Sequence, residues 1–166
     1  WELHHPMKQM ESLYDAIYEL GKKDNISNFG TYAVNSLRME KAYRGWGSEL
    51  TGEISLVEAG MDRFFNLNKK SNFIGSEILR EKLQSGVAIK IVYLELDVSD
   101  ADARGNEPVY HNNKIVGVVT SGAYGFRVNK SLAFAYVQAE LVKDETELLV
   151  EIQGQKRKAK ILNTPA

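Results

Sequence analysis

The chain has 166 residues, 43% hydrophobic and 26% charged, with 21 basic against 22 acidic side chains and a formal net charge of −1. Near-neutrality supplies no electrostatic footprint for nucleic acid or for an anionic membrane surface. With no cysteine, disulfides, thiolate nucleophiles and thiolate metal sites are excluded, and no apolar run approaches the length that spans a bilayer.

The first residues, Trp1-Glu2-Leu3-His4, read as an extended strand, and a strand beginning at residue 1 with Trp suggests a chain cut from something longer. Met7, Met10, Leu13, Tyr14, Ile17 and Leu20 then recur at helical spacing up to Gly21. A second helix is predicted over about Tyr32 to Ala42, closing before Gly45-Trp46-Gly47. Arg63 to Leu67 reads as a short strand, and Ile74 to Leu83 as a third helix ending near Gly86. Beyond Gly86 the period changes. Ala88 to Leu96 is β-branched and partly alternating, which predicts a strand, and the Asp-rich stretch from Asp97 to Asn106 a loop. Val109-Tyr110-His111 and Lys114 to Val119 flank Asn112-Asn113, a pair that tolerates the positive φ of a two-residue hairpin turn. Ala133 to Val137, Leu148 to Ile152 and Ala159 to Leu162 are further short strands. Helices followed by about six strands predict an α+β chain in two parts that join near residues 84–87, the second a small antiparallel barrel or sandwich.

Local chemistry is sparse. His4 and His5 are neighbours on an extended segment and point to opposite faces, so they do not share a metal ion, and no other ligand spacing is present. Asp97, Asp100 and Asp102 lack the Gly and Glu positions of a calcium loop and read as a solvated loop. Thr120-Ser121-Gly122 reads as a strand end and its turn, with no histidine nearby to activate a hydroxyl. Tyr43, Trp46, Tyr124, Phe126 and Tyr136, without an interleaved basic run, read as core residues and not as a base-stacking surface.

Four segments in order carry a family resemblance: Gly30 to Lys41, Glu58-Ala59-Gly60-Met61, Phe73-Ile74-Gly75, and Gly117-Val118-Val119-Thr120-Ser121-Gly122. Together they resemble the glycine cleavage T-protein (aminomethyltransferase) family. Gly30-Thr31-Tyr32-Ala33, Tyr43-Arg44-Gly45-Trp46-Gly47 and Lys130 to Val137 look like its dimethylglycine dehydrogenase branch, with sarcosine dehydrogenase next. Where T-proteins usually carry Ser-Pro after Thr-Ser-Gly, this chain has Ala123-Tyr124-Gly125.

The resemblance implies residues 1–85 as the C-terminal portion of a folate-binding domain and residues 86–166 as the family's C-terminal β-barrel. In such enzymes an N-terminal flavin domain, which would hold FAD outside this chain, oxidises an N-methyl amine. The C-terminal half carries tetrahydrofolate, which captures the one-carbon unit. Trp1-Glu2-Leu3-His4 is similar to the end of a family segment whose last Glu binds the pterin; that role falls on Glu2, flanked by Leu3 and His4. A carboxylate accepts two adjacent N–H groups from a pterin edge. Arg63 stands where the family often has an aromatic residue against the folate; a guanidinium plane can stack there or pair with the glutamate tail. Val34 replaces a family Arg. No catalytic residue and no metal site is assigned. The implied partners are folate, a small N-methyl amine and the rest of the same polypeptide, with neither nucleic acid nor membrane, in the cytoplasm or a mitochondrial matrix. A flavin-free aminomethyltransferase and a non-catalytic interaction barrel remain alternatives.

Overall fold

The computed structural model describes residues 1–143 and 145–166. It divides into two compact units, Trp1–Ala33 and Val34–Ala166, with the division inside the second helix. The first unit holds α1 (Met10–Gly21), preceded by a 3-10 turn at Met7–Gln9. Its apolar stripe forms as the spacing predicts, and Met10, Tyr14, Ile17 and Leu20 on it are exposed. Residues 1–6 form no strand. Pro6 removes a backbone donor there, and its carbonyl is taken by Gln9 N, which starts the 3-10 turn.

The second unit is built on a closed barrel. Its strands are β1 (Ile89–Leu96), β2 (Pro108–His111), β3 (Lys114–Gly125), β4 (Lys130–Gln138), β5 (Leu148–Ile152) and β6 (Gln155–Leu162). They pair antiparallel in the order β1-β4-β3-β2-β5-β6, and β6 closes on β1. Closure removes the unpaired edges of an open sheet, which selects a barrel over a sandwich. Alternation decides what fills it. Val92, Leu94 and Leu96 of β1 and Ala133, Ala135 and Val137 of β4 belong to the interior cluster. Large residues oppose small ones across the β1–β4 ladder, Val92 with Ala135 and Leu94 with Ala133, as a narrow six-stranded interior requires.

The other face of β1 and β4 is buried as well. Ile91, Tyr93, Leu132, Phe134 and Tyr136 pack with Met39 of α2 (Thr31–Glu40). Both faces being covered explains why β4 reads as a nearly unbroken apolar run. Polar bonds fix α2 there: Asn35 Nδ2 donates to Gly122 O at 3.0 Å, Ser36 Oγ to Tyr124 O at 2.6 Å, and Tyr93 Oη to Met39 O at 2.7 Å. Helix α3 (Ser76–Ser85) starts after Gly75, at φ 86°, and ends at Gly86. Among the described residues no helix is long and apolar enough to cross a membrane.

Several expectations need correction. Arg63–Leu67 is not a strand: Asp62–Phe64 is a 3-10 turn, because Met61 O and Asp62 O take the local N–H groups of Phe64 and Phe65. Thr120-Ser121-Gly122 is the interior of β3, which runs on to Gly125. Gly122 is required there, since a Cβ would lie 2.4 Å from Ala103 O. Of the aromatics assigned to the core, Tyr136 is buried and Tyr124 half-buried, whereas Tyr43, Trp46 and Phe126 are exposed. Two members of the acidic loop are engaged: Asp100 pairs with Arg157 at 2.6 Å, and Asp102 accepts from Ser131 Oγ at 2.6 Å.

The hairpin is as predicted, with Asn112 at φ 49° and Asn113 at φ 61°. That conformation costs a side chain with a plain Cβ roughly 1–2 kcal/mol, and Asn offsets part of it. Asn113→Ala is expected to lower unfolding free energy by about 1 kcal/mol, and Asn113→Gly to leave it near wild type. Urea midpoints check both, and equal stability of the Ala and Gly variants would refute the turn argument.

Candidate functional site

The structure places the sequence-predicted residues in two settings. In the Trp1–Ala33 unit, Glu2, Leu3 and His4 are all exposed, and Glu2 Oε1 lies 3.1 Å from His4 Nε2. An exposed pair of this kind is worth at most about 1 kcal/mol, so the carboxylate stays available to a ligand. In the Val34–Ala166 unit, Arg63 lies in the 3-10 turn with its guanidinium 4.8 Å from the centre of the Phe64 ring. It is exposed, and a guanidinium already resting on a π-face is oriented for planar recognition.

Glu49, which has no distinguishing mark in the sequence, is the centre of a polar cluster beside the barrel. It is fully buried. Its Oε1 accepts Ser121 Oγ at 2.5 Å and Thr120 Oγ1 at 2.6 Å; its Oε2 accepts Gly45 N at 2.7 Å, Ser48 Oγ at 2.9 Å and Arg38 Nη1 at 3.0 Å. Tyr136 Oη donates to its main-chain carbonyl at 2.8 Å. Neighbouring strand residues ordinarily point to opposite faces, yet Thr120 and Ser121 reach the same oxygen. The reason is an irregularity in β3: Val119 pairs with Ala135 and Ser121 with Phe134, leaving Thr120 as an extra residue. A bulge re-aims side chains in this way.

Burial by itself would push the Glu49 pKa up. The hydrogen bonds from Ser121, Thr120 and Gly45, with the Arg38 charge, outweigh it and hold the carboxyl below the usual range. The group is therefore an anion, satisfied on both oxygens, that ties the Arg38–Leu50 segment to β3. No oxygen is left over for a proton in transit, so its work is to hold neighbours in place. Two adjacent hydroxyls in an apolar strand were the signal that a buried acceptor must exist; which of 22 acids supplies it depends on tertiary contact alone.

Glu58, in the Glu-Ala-Gly-Met segment, has a second local role. Its Oε2 accepts Ser55 N at 2.7 Å, Ser55 Oγ at 2.6 Å and Lys82 Nζ at 3.2 Å, joining that turn to α3. Its carbonyl accepts Ile91 N of β1 at 2.9 Å. An open groove of about 960 Å³ lies at the end of the barrel where β1 finishes and β4 begins, lined in part by Asp97, Tyr110, Tyr124 and Lys158. Lys130 and Glu95, also in its wall, already pair at 3.0 Å, and Arg63 and Glu49 are not part of it.

Comparison with known proteins supplies the rest. A family model described as the glycine cleavage T-protein C-terminal barrel domain matches residues 90–166, and one described as the GCVT N-terminal domain matches residues 1–69. The chain belongs to the glycine cleavage T-protein family. Within it, the chain is 42% identical to mitochondrial dimethylglycine dehydrogenase of Homo sapiens over 99% of its own length and 19% of that protein. It is 30% identical to the aminomethyltransferase of Geobacillus sp. (strain WCH70), over 99% of its own length and 45% of that protein. It therefore spans a fifth to less than half of the curated relatives it matches. The crystal structure of the glycine cleavage system aminomethyltransferase T from Bartonella henselae superposes with a TM-score of 0.83 at 24% identity, covering 96% of this chain and 44% of that one. That likeness speaks for the T-protein fold, including the barrel.

Proposed function

We propose that this chain is the tetrahydrofolate-binding C-terminal region of a dimethylglycine or sarcosine dehydrogenase-like enzyme, which passes a one-carbon unit from an N-methyl amine to tetrahydrofolate. The observation that carries this reading is the 42% identity to dimethylglycine dehydrogenase over 99% of the chain, against 30% for the aminomethyltransferase over the same span. Glu2, with Leu3 and His4 beside it, is assigned to the pterin edge, and Arg63 to the folate, at the position where the resemblance implies that the family often has an aromatic residue. The FAD that oxidises the amine belongs to a flavin domain outside these residues. The folate-binding portion is taken as residues 1–85 and the barrel as 86–166; Gly86, at φ 82°, ends α3 three residues before β1 begins. In a eukaryotic host the enzyme is assigned to the mitochondrial matrix.

Calorimetric titration of tetrahydrofolate into the full polypeptide tests the reading. Stoichiometric binding is expected, and its absence would leave the barrel as a non-catalytic interaction module. The isolated 166-residue chain is expected to show no oxidation of dimethylglycine or sarcosine, because no residue in it is assigned to flavin or amine chemistry. Turnover by the purified, cofactor-free chain would overturn that expectation.

A further inference from the structure

The outer face of β6 carries Lys156, Lys158 and Lys160 at alternate positions, all exposed, while Ala159 and Ile161 belong to the barrel interior. Arg157 stands between the first two and pairs with Asp100 at 2.6 Å. The three lysines span about 13 Å of strand. Acids stand opposite two of them: Glu151 of β5 faces Lys156, Glu95 of β1 faces Lys160, and Leu149 faces Lys158. Neither acid closes an ion pair with the lysine it faces. Glu95 pairs with Lys130 at 3.0 Å instead, and the Lys156 ammonium lies 4.0 Å from the centre of the Tyr110 ring and 3.5 Å from Asn113 Oδ1. Among the described residues none of the three ammonium groups has a carboxylate within ion-pair distance. Facing pairs of opposite charge stabilise a sheet. This ladder forgoes two of them and leaves a row of unneutralised cations on a rigid strand.

We infer that this stripe docks an acidic, extended peptide segment of a partner protein, with Asp or Glu at alternate positions matching the lysine spacing. Both edges of β6 are already paired, to β1 and to β5, so the partner is held by side chains and not as an added strand. Lys158 and Lys160 line the groove of about 960 Å³ described above, whose wall also holds Glu95, Asp97, Glu145 and Glu147. Those carboxylates decide the class of partner. A membrane or a nucleic-acid duplex would press its own charge against them, whereas a single chain with its acids on one side meets the lysines alone.

The test uses the full polypeptide and a fluorescent peptide of alternating Glu and Thr, read by anisotropy. A Gln-Thr peptide controls for charge, and vesicles of phosphatidylserine and phosphatidylcholine in equal parts stand for the competing class. Lys158→Gln combined with Lys160→Gln removes two exposed charges from the stripe. Lys8→Gln combined with Lys23→Gln removes two exposed charges from the Trp1–Ala33 unit and controls for net charge. The Glu-Thr peptide is expected to bind wild type and to weaken as salt rises. Its affinity should fall about tenfold in the β6 double variant and stay at the wild-type value in the control variant. No binding by wild type, an equal loss in both double variants, or equal binding of the Gln-Thr peptide overturns the docking stripe. Vesicle binding that depends on Lys158 and Lys160, without binding of the peptide, overturns the acidic segment in favour of a lipid surface.

Discussion

Glu49→Ala is expected to cost about 3–5 kcal/mol of unfolding free energy, the range for removing one member of a buried ion pair. The loss is large because the substitution strands several donors at once. Arg38, Thr120, Ser121, Ser48 and the Gly45 amide all turn toward one carboxylate, and each buried donor left without an acceptor carries about 1–3 kcal/mol of desolvation. These terms are not additive, since the segment relaxes and water enters. Glu49→Gln keeps the shape but replaces acceptor by donor on one side, so its cost falls between Ala and wild type. Thr120→Val should cost less, about 1–2 kcal/mol, and a double-mutant cycle with Glu49→Gln should show coupling because the two share a bond. The pH dependence follows from the direction of the pKa. A carboxyl held below its ordinary value in the fold contributes stability that is fully present above the unfolded value and lost as pH falls through the folded one. The gap between wild type and Glu49→Gln should therefore narrow on acidification from pH 7. Urea unfolding at a series of pH values measures it, and a gap that widens toward acid would contradict the ionised assignment.

How much of this was legible beforehand depends on the range of the interactions involved. The Asn112-Asn113 turn and the ends of α1 and α3 are set by residues a few positions apart, and the pattern carries them. The barrel strands were readable because β1 and β5 alternate or run apolar over enough residues to count. The Arg63–Leu67 segment misled because Phe64-Phe65 and Leu67 are apolar without a partner strand, and local carbonyls captured the amides of Phe64 and Phe65. Trp46 and Phe126 misled in the opposite sense: aromatic character predicts burial only where another element covers the ring, and here they stay exposed. That Glu49 is the acid at the centre of its cluster was invisible for a geometric reason. Its partners lie up to 72 positions away, and the convergence of Thr120 and Ser121 depends on a bulge that no alternation pattern encodes. The folate contacts assigned to Glu2 and Arg63 came from family resemblance and stand as proposals.

For the proposed folate site the largest effect is expected at Glu2. If its carboxylate accepts two N–H groups of the pterin, Glu2→Ala leaves those donors desolvated and unpaired in the complex. The loss is about 2–4 kcal/mol, or roughly 30- to 1,000-fold in folate affinity. Little is recovered from the contact Glu2 makes in the free protein, because its 3.1 Å approach to His4 is fully in solvent. Arg63→Ala should cost less, about 0.5–2 kcal/mol, since a stacked or paired cation at a wet surface is weaker. Glu2→Gln separates charge from shape: one amide oxygen still accepts, but the NH2 faces a donor, so its affinity should lie nearer Ala than wild type. In a full enzyme of the proposed kind, amine oxidation at the flavin should continue at the wild-type rate, because the substitution touches only the proposed acceptor's site. The yield of methylene-tetrahydrofolate should fall at subsaturating folate while free formaldehyde rises by the same amount. Calorimetry with Glu2→Ala gives the decisive number. Folate affinity equal to wild type would remove Glu2 from the site, and with it the alignment of Trp1-Glu2-Leu3-His4 to the family's pterin-binding segment.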